Sequence, residues 1–403
     1  MRAGTALLWW LAMLGAPLAV AQDRLNMTGE LDLRWVSADG APSYLYGGDG
    51  LLRFDPQHEG LRLGHAMLDT RLRISDVLSA HAVAFAYDDQ DRNAVDLSEA
   101  YIEARPFPSQ SIRWDARAGA FFMPVSLENR GPGWTDVYTI TPSALNTWIG
   151  EEFRTIGTEV EARWLGASHG YLGDVALVGA LYGWNDPAGV LVAERGFGLT
   201  DRPSTLFGGL GKPPEAFYHE VDDRPGYYAG LTWRHHDRLE VRALYYDNLA
   251  DPGAFNSTAS AWRTRFASAG ARLEPDAAWT FIVQFLGGDT AIGPDSAGKY
   301  QFKMSYDTGF ALTSFEWRRE RFSARFDDFR THQSSGFYGP PRDDVGHAWT
   351  LGWMHEMGSG WQFAAEWIRV TSRFPPRVKD GVLPGLVESQ LQLSARYRFH
   401  WRL

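Results

Sequence analysis

The sequence predicts an all-β fold, a closed transmembrane barrel of about sixteen antiparallel strands. Three observations predict it. The chain ends in a long alternation of apolar and polar residues, shorter alternating segments recur throughout, and the connections between them are short and long in turn. A soluble sandwich has no reason to sort its connections by parity, whereas outer-membrane barrels have short periplasmic turns and long external loops.

The C-terminal segment 391–403 has one apolar and one cationic face. Side chains of a strand alternate between faces, so the apolar residues from Leu391 to Leu403 point one way and Arg396, Arg398 and Arg402 the other. The segment exceeds the usual strand and fits the span of about 9–11 residues that a membrane requires. We expect it to close the barrel against 31–35 and to be recognised by the outer-membrane assembly machinery.

The N-terminus indicates export. Residues 1–21 combine Arg2, a short apolar stretch and the small-residue site Ala19-Val-Ala21, which is typical of a signal peptide. Residues 22–403 are expected to form one barrel domain. The chain has no cysteine and no second apolar run long enough for a membrane helix, so Cys-based catalysis and transmembrane helices are excluded.

The predicted strands follow one another with alternating apolar residues, and a slip of phase near Ala66 suggests a bulge. Boundaries read in this way are uncertain by a few residues. The predicted strands are 31–35, 61–74, 83–87, 95–105, 112–122, 156–164, 174–184, 227–234, 239–247, 262–273, 279–285, 302–317, 322–326, 349–353, 361–367 and 391–403.

The interior of a barrel of this size is expected to be a water-filled channel. Arginine predominates opposite the apolar faces, and rings of arginine in a pore favour anions. Alternatively, arginines and carboxylates pair across strands and merely solvate the wall. The predicted pore-lining residues are Arg34, Arg113, Asp115, Arg117, Glu159, Glu161, Arg163, Arg242, Arg318, Arg325, Arg396 and Arg398.

The connection 123–155 is long, aromatic and sparsely charged in its middle. A long connection in a compact domain is usually functional or disordered, and this composition favours an ordered segment folded into the lumen as a constriction. Its charges nearest the passage are expected to be Glu128, Arg130, Asp136 and Glu151. A cap packed over the external mouth is the alternative.

The strand leading into this connection carries a recognisable motif. Arg117-Ala-Gly-Ala-Phe-Phe-Met-Pro-Val-Ser-Leu-Glu128, preceded by Ala100-Tyr-Ile-Glu103, resembles the phosphate-selective porin O/P family of bacterial outer membranes. The resemblance implies a homotrimeric, sixteen-stranded porin whose third loop narrows the pore. Phosphate-selective members use arginine ladders and lysine clusters near the constriction, but this chain has no lysine before Pro203 and its third connection is acidic. We therefore expect passage of small polar, anionic or mixed solutes.

Other functions are less compatible with the sequence. No G-x-S-x-G or H-E-x-x-H motif occurs, so we expect no enzyme, metal site or cofactor. The net charge of −10 argues against nucleic-acid binding. Two alternatives stay open: a non-channel outer-membrane barrel that binds a partner through its long loops, such as 185–226, and a secreted soluble β-protein.

Overall fold

The structure is a computed structural model that describes residues 24–89, 94–108, 111–210, 217–236, 238–294, 300–336 and 340–403. The predicted signal peptide lies outside the described residues. The described chain forms a closed barrel in which sixteen strands pair with their neighbours in sequence order, which confirms the predicted fold. The strands are β1 (Leu25–Asp39), β2 (Gly60–Arg73), β3 (Leu78–Ala86), β4 (Val95–Ala104), β5 (Ile112–Phe121), β6 (Thr155–Trp164), β7 (Asp174–Gly183), β8 (Gly226–His235), β9 (Leu239–Asp247), β10 (Arg263–Leu273), β11 (Trp279–Pro294), β12 (Tyr300–Trp317), β13 (Glu320–Ser335), β14 (Val345–Gly358), β15 (Trp361–Arg373) and β16 (Gly385–Arg402).

The last strand closes the barrel against the first. β16 runs antiparallel to β1, with Leu31 opposite Tyr397 and Trp35 opposite Leu393. The backbone of Leu25 exchanges two hydrogen bonds with that of Leu403, each 2.9 Å long. Closure pairs both edges of every strand of the described barrel. A sheet surrounded by lipid requires this, because unpaired backbone groups would find no water there.

An apolar belt covers the outside of the barrel. Outward residues of the strands are large and apolar, and they stay between about a third and two thirds exposed because no part of the chain covers them. Aromatic side chains are frequent toward the ends of the strands where the short turns lie, as in the aromatic girdles of outer-membrane barrels. The belt includes Leu31, Leu33, Trp35, Trp114, Leu177, Leu231, Val283, Trp349, Leu351, Leu391, Leu393 and Trp401.

Several strand boundaries differ from the sequence prediction: β1, β14, β15 and β16 are longer than predicted at one or both ends. β11 and β13 continue well past 285 and 326, so the sixth and seventh loops are shorter than expected. The extension of β13 stays hydrogen-bonded to β12 although outward residues there, Arg330 and its cross-strand partner Asp307, are charged. The predicted slip near Ala66 is a bulge: Asp32 pairs with His65 and Leu33 with Leu63, which leaves Gly64 between them.

Long loops fold into the barrel and fill its middle. We number the connections that follow odd strands L1 to L8, so that L1 is 40–59, L3 is 122–154 and L4 is 184–225. L3 contains helix α1 (Ala144–Glu152) and L4 contains helix α2 (Val190–Arg195). Side chains of L1, L3 and L4 share one buried apolar cluster with inward residues of the wall. In the described chain, no helix has the length and apolarity needed to cross a membrane.

Candidate functional site: the loop-filled lumen

L3 crosses the lumen as an ordered segment, with α1 at its centre. The Ser143 hydroxyl accepts a hydrogen bond from the Asn146 backbone amide at 3.2 Å and caps the helix. Every residue of α1 is buried. Trp148 lies with its ring 4.8 Å from those of Phe153 and Tyr306, so the helix is wedged between its own loop and the wall.

Arg325 on β13 joins L3 to the wall. Its guanidinium donates to the carbonyl oxygens of Thr141 and Pro142, at 2.8 and 3.0 Å, and to the Thr139 hydroxyl at 2.8 Å. Asp327, two residues along the strand, pairs with Arg325 at 2.9 Å. A charged group held by this many partners fixes the position of the loop.

Further wall residues hold the start and the middle of L3. Gln284 accepts from the Leu127 amide at 3.2 Å and donates to the Val125 carbonyl at 2.9 Å. Glu366 accepts from the amides of Ile140 and Thr141, at 2.6 and 3.0 Å. L3 is therefore attached to the wall along its length, and it lies inside the barrel rather than over the mouth.

The predicted charges of L3 divide into two groups. Glu128 and Asp136 are buried around Arg325, at 3.5 and 3.7 Å, and Glu128 also accepts from the Ser143 amide at 2.7 Å. Burial raises the pKa of Asp136, and so does the Glu128 carboxylate, while Arg325 only partly opposes them. Glu128 and Asp136 therefore serve mainly to anchor the loop. Arg130, in contrast, is exposed.

Glu151 and Glu152, at the C-terminal end of α1, attach L4 and L1 to L3. Glu151 is fully buried and accepts from Arg195 and Tyr44. Glu152 accepts from the Leu191 amide at 2.9 Å. Burial raises the pKa of Glu152 to about 7, which its hydrogen bonds only partly oppose.

The lumen is open from the side of the short turns and narrow at its middle. One opening of about 650 Å³ lies beside Tyr101 and Arg130, and another of about 470 Å³ lies beside Arg318 and Arg398. Because short turns face the periplasm in outer-membrane barrels, these openings are periplasmic vestibules. Above them, L3 and L4 leave a cavity of about 20 Å³ against the wall, which has room for a single water.

Most of the predicted pore-lining arginines are paired with carboxylates. Arg117 binds Glu159 at 2.7 Å, and Arg163 binds Glu161 at 2.7 Å. Asp115 accepts from a residue outside the predicted set, Arg105, at 2.6 Å. Pairing with carboxylates, across strands for Arg117 and within β6 for Arg163, therefore describes much of the wall.

The remaining predicted residues occupy different places. Arg396 binds Asp32 at 3.0 Å, and Arg398 binds Glu30 while half exposed in the vestibule. Arg242 donates to the carbonyl oxygens of Pro124 and Ser126, at 2.8 and 2.9 Å, so it supports L3.

Arg113 and Arg318 differ from the rest of the predicted set. Arg113 is half-buried, and its nearest cross-strand neighbour on β6 is another arginine, Arg163. Arg318 lies in the exposed turn between β12 and β13 rather than on the wall, with a φ of 60°.

Sequence reasoning missed the part of the site that L4 contributes. Asp201 of L4 binds Arg34 of β1 at 2.6 Å and Arg53 of L1 at 3.1 Å. Arg202, its neighbour, binds Asp89 at 3.0 Å. These residues lie in irregular segments without a strand or helix period, so nothing in the local pattern marked them as inward.

Neither a protein-family model nor a curated protein sequence matches the chain. Solved structures do match. The outer membrane channel DcaP of Acinetobacter baumannii is 10% identical, with 96% of this chain and 99% of that chain covered and a TM-score of 0.56. An anion-selective porin from Comamonas acidovorans is 9% identical, with 94% and 100% covered and a TM-score of 0.55. OmpF of Salmonella typhi, in complex with daunomycin, is 10% identical, with 94% and 98% covered and a TM-score of 0.55.

Identities this low show a common fold. The neighbours are outer-membrane porins, and the chain shares their closed sixteen-stranded architecture. A closed barrel whose outer face is an exposed apolar belt satisfies every backbone group in lipid, which an open sheet would leave unsatisfied. The chain is a β-barrel of the bacterial outer membrane with the porin fold.

Proposed function

We propose that the chain is a channel for the diffusion of small polar solutes across the outer membrane, with a preference for anions. The observation that carries the proposal is the pair of polar vestibules leading to the cavity between L3 and the wall. The cavity shares Asp136 and Arg396 with one vestibule and Trp134 with the other, so both periplasmic vestibules adjoin the cavity that L3 and L4 restrict. Wide polar vestibules that narrow at an inward-folded loop are what a channel of restricted width would have.

The anion preference rests on the larger vestibule. Its lining includes Arg71, Arg117, Arg130 and Arg242 but only two carboxylates, Asp69 and Glu99. Arg130 is exposed there, and an exposed guanidinium raises the local concentration of anions. Because the other vestibule has arginines and carboxylates in similar numbers, the preference should be modest.

Reversal potentials in planar bilayers across a KCl gradient test the proposal. We expect chloride to be more permeant than potassium, and Arg130→Ala to reduce the difference without lowering the amount of folded protein. Arg330→Ala is the matched control, because Arg330 is equally exposed but lies on the outer wall. Cation selectivity in the wild type would refute the anion preference, and absence of conductance under all conditions would refute the channel.

The packing of L1, L3 and L4 favours a second candidate, a non-channel barrel that binds a partner through its external loops. L4 is the longest connection, and parts of it lie at the external surface, where Trp184 and Phe207 are exposed. This candidate predicts that deleting 206–218 abolishes partner binding, while conductance is absent in both the wild type and the deletion variant.

We also propose a homotrimer whose assembly uses the C-terminal strand. The support is the resemblance of 117–128 to the O/P family, and one structural neighbour, OmpT of Vibrio cholerae, is described in a trimer form with a TM-score of 0.51. Mass measurement in detergent tests the trimer. Replacing Tyr397, Phe399 and Trp401 by Ala should lower the amount of folded barrel if the assembly machinery reads this strand.

A further inference from the structure

Asp201 of L4 is inserted between two arginines beside the small cavity that L3 and L4 leave in the lumen. Its carboxylate lies 2.6 Å from Arg34 Nη2, and 3.1 and 3.2 Å from Arg53 Nη1. Arg34 belongs to the wall and Arg53 to L1, so one carboxylate joins three parts of the chain. Burial alone would raise the pKa of Asp201, but Arg34 and Arg53 outweigh it and hold that pKa well below its usual range.

Other residues position both arginines without help from Asp201. Arg34 binds Asp32 through two of its nitrogens, at 3.0 and 2.7 Å, and Gln392 through the third at 3.0 Å. Arg53 donates to the Gly64 carbonyl at 2.8 Å and binds Asp89 at 3.1 Å. Both guanidiniums therefore stay aimed at the same point if Asp201 leaves.

The bulge at Gly64 makes room for this arrangement. A Cβ atom at that position would lie 2.4 Å from Arg34 Nε, closer than any real contact, so a side chain there would displace the guanidinium. The same bulge turns the Gly64 carbonyl toward Arg53. The pair of arginines thus depends on a specific backbone feature and is a built site rather than a chance meeting of surface charges.

The site borders the path proposed for solutes. Asp201 lines the water-sized cavity, together with Tyr87 and Asn146. Both side chains are more than nine-tenths buried. The Tyr87 hydroxyl and Asn146 Oδ1 nevertheless have no hydrogen-bond partner among the described residues. Buried polar atoms without a partner are costly, so a polar ligand or water in this cavity would be favoured.

We propose that Arg34 and Arg53 form a binding site for the oxyanion of a solute, and that Asp201 occupies this site as an internal substitute that keeps L4 in the lumen. This inference rests on the proposed channel function. A solute carboxylate or phosphate competes with Asp201 for the two guanidiniums, and the segment of L4 around Asp201 leaves the passage when it is displaced, while helix α2 stays attached through Glu151 and Glu152. Both oxyanions fit, because a guanidinium presents parallel N–H donors to either.

The first test is the open fraction of single channels in planar bilayers for the wild type and Asp201→Asn. Asparagine keeps the shape of the side chain but loses its charge-assisted hydrogen bonds, so we expect the open fraction to rise by at least about tenfold. Asp289→Asn is the matched control, because Asp289 binds Arg265 at 3.0 Å on the outer wall, and it should behave as the wild type.

Added oxyanions provide the second arm. Succinate and inorganic phosphate, each compared with chloride at equal ionic strength, should raise the open fraction of the wild type but not that of Asp201→Asn. A response to one of them alone would identify which oxyanion the site prefers. Equal open fractions in the wild type and Asp201→Asn, with both proteins folded, would overturn the proposal.

A readout that does not need conductance separates this proposal from the channel itself. The chain has no cysteine, so a single Thr205→Cys variant carries one thiol on L4 at a position that is 2% exposed. Maleimide labelling of that thiol should accelerate at least about tenfold when Asp201→Asn is added, since exposure requires L4 to move. Faster labelling without conductance would refute the channel but keep the displaceable contact, and unchanged labelling would refute the contact.

A disulfide between L3 and L4 tests the same motion by preventing it. The Thr147 hydroxyl donates to the Thr200 carbonyl at 3.0 Å and accepts from the Thr200 amide at 3.2 Å, so the two residues are neighbours. The oxidised variant Thr147→Cys/Thr200→Cys should stay closed in succinate and recover after reduction, whereas each single variant should respond as the wild type does. Opening of the oxidised form would contradict movement of L4.

Discussion

Arg325 Nη1 donates a hydrogen bond to the carbonyl oxygen of Thr141 at 2.8 Å, which joins the middle of β13 to the loop that crosses the lumen. The same guanidinium is surrounded by Glu128, Asp136 and Asp327, and all four side chains are buried. Three carboxylates around one guanidinium are stable only while that guanidinium is present. The position of the middle of L3 therefore depends strongly on this arginine.

Arg325→Met should strongly destabilise the protein. The substitution leaves buried carboxylates unpaired, and the loss of one partner from a buried ion pair typically costs about 3–5 kcal/mol. Urea unfolding of the barrel in detergent, followed by tryptophan fluorescence, measures the change. Arg330→Met is the control, because that side chain is exposed and its ion pairs should contribute little. Equal stability of the two variants would show that L3 is held by its apolar contacts.

Gly133→Ala should also weaken the attachment of L3. Gly133 has a φ of 61°, in the left-handed region, and a Cβ atom there would lie 2.3 Å from Phe85 Cε2 on the wall. We expect a loss of about 1–3 kcal/mol from backbone strain and overpacking. Gly385→Ala, where a Cβ atom would meet nothing within 4 Å, should change the free energy of unfolding by no more than about 0.5 kcal/mol. Equal effects would contradict close packing of L3 on Phe85.

The sequence predicted the barrel well because lipid imposes a repeating demand on every strand. Leu391, Leu393 and Trp401 had to alternate with polar residues, and that alternation marked β16 without any knowledge of its partners. The parity of the connections then fixed which ends face the periplasm. Strand ends were less predictable, because above the membrane the backbone of β11 to β13 stays paired while outward residues such as Asp307 no longer meet lipid.

The interior was predictable only in part. The inward positions of Arg34, Arg325 and Arg396 followed from strand alternation, but their partners did not, since pairing depends on contacts across the barrel. Asp201 lies in an irregular loop that is distant from β1 in the sequence. The loop has no repeating pattern of apolar and polar residues from which its contact with β1 could be predicted. Charge counts along the strands therefore suggested an arginine-lined pore, whereas the structure contains mostly compensated pairs.

Stability should depend on pH through Glu152. In the folded protein burial raises its pKa from 4.5 to about 7, so the protonated form is favoured there more than in the unfolded chain. Its contribution to stability is thus fully present below about pH 4.5 and is lost as the pH rises through 7, by roughly 3 kcal/mol in total. Burial also raises the pKa of the neighbouring Glu151, which Arg195 opposes, so Glu151 contributes to the background pH dependence.

Glu152→Gln isolates that contribution. Glutamine is uncharged and can still accept from the Leu191 amide, but its NH2 group cannot accept from Trp148 Nε1 as Glu152 does, so the variant should lose less stability than the wild type as the pH rises from about 4.5 to 8. Urea unfolding at several pH values measures the difference, and whatever pH dependence persists in Glu152→Gln belongs to the other groups. Parallel curves for the two proteins would show that Glu152 ionises in the folded state without penalty.

The lipid-facing assignment of β16 can be tested by charge insertion at two depths. Leu393 lies at the middle of the strand with its side chain 47% exposed on the apolar belt. Leu393→Arg should destabilise the barrel by about 2–4 kcal/mol in phospholipid vesicles, because the guanidinium would lie near the bilayer midplane. Val387→Arg, on the same face but close to the external end, should cost no more than about 1 kcal/mol. Similar costs at the two positions, or no cost in vesicles at Leu393, would mean that this face of β16 is not in contact with the hydrocarbon core.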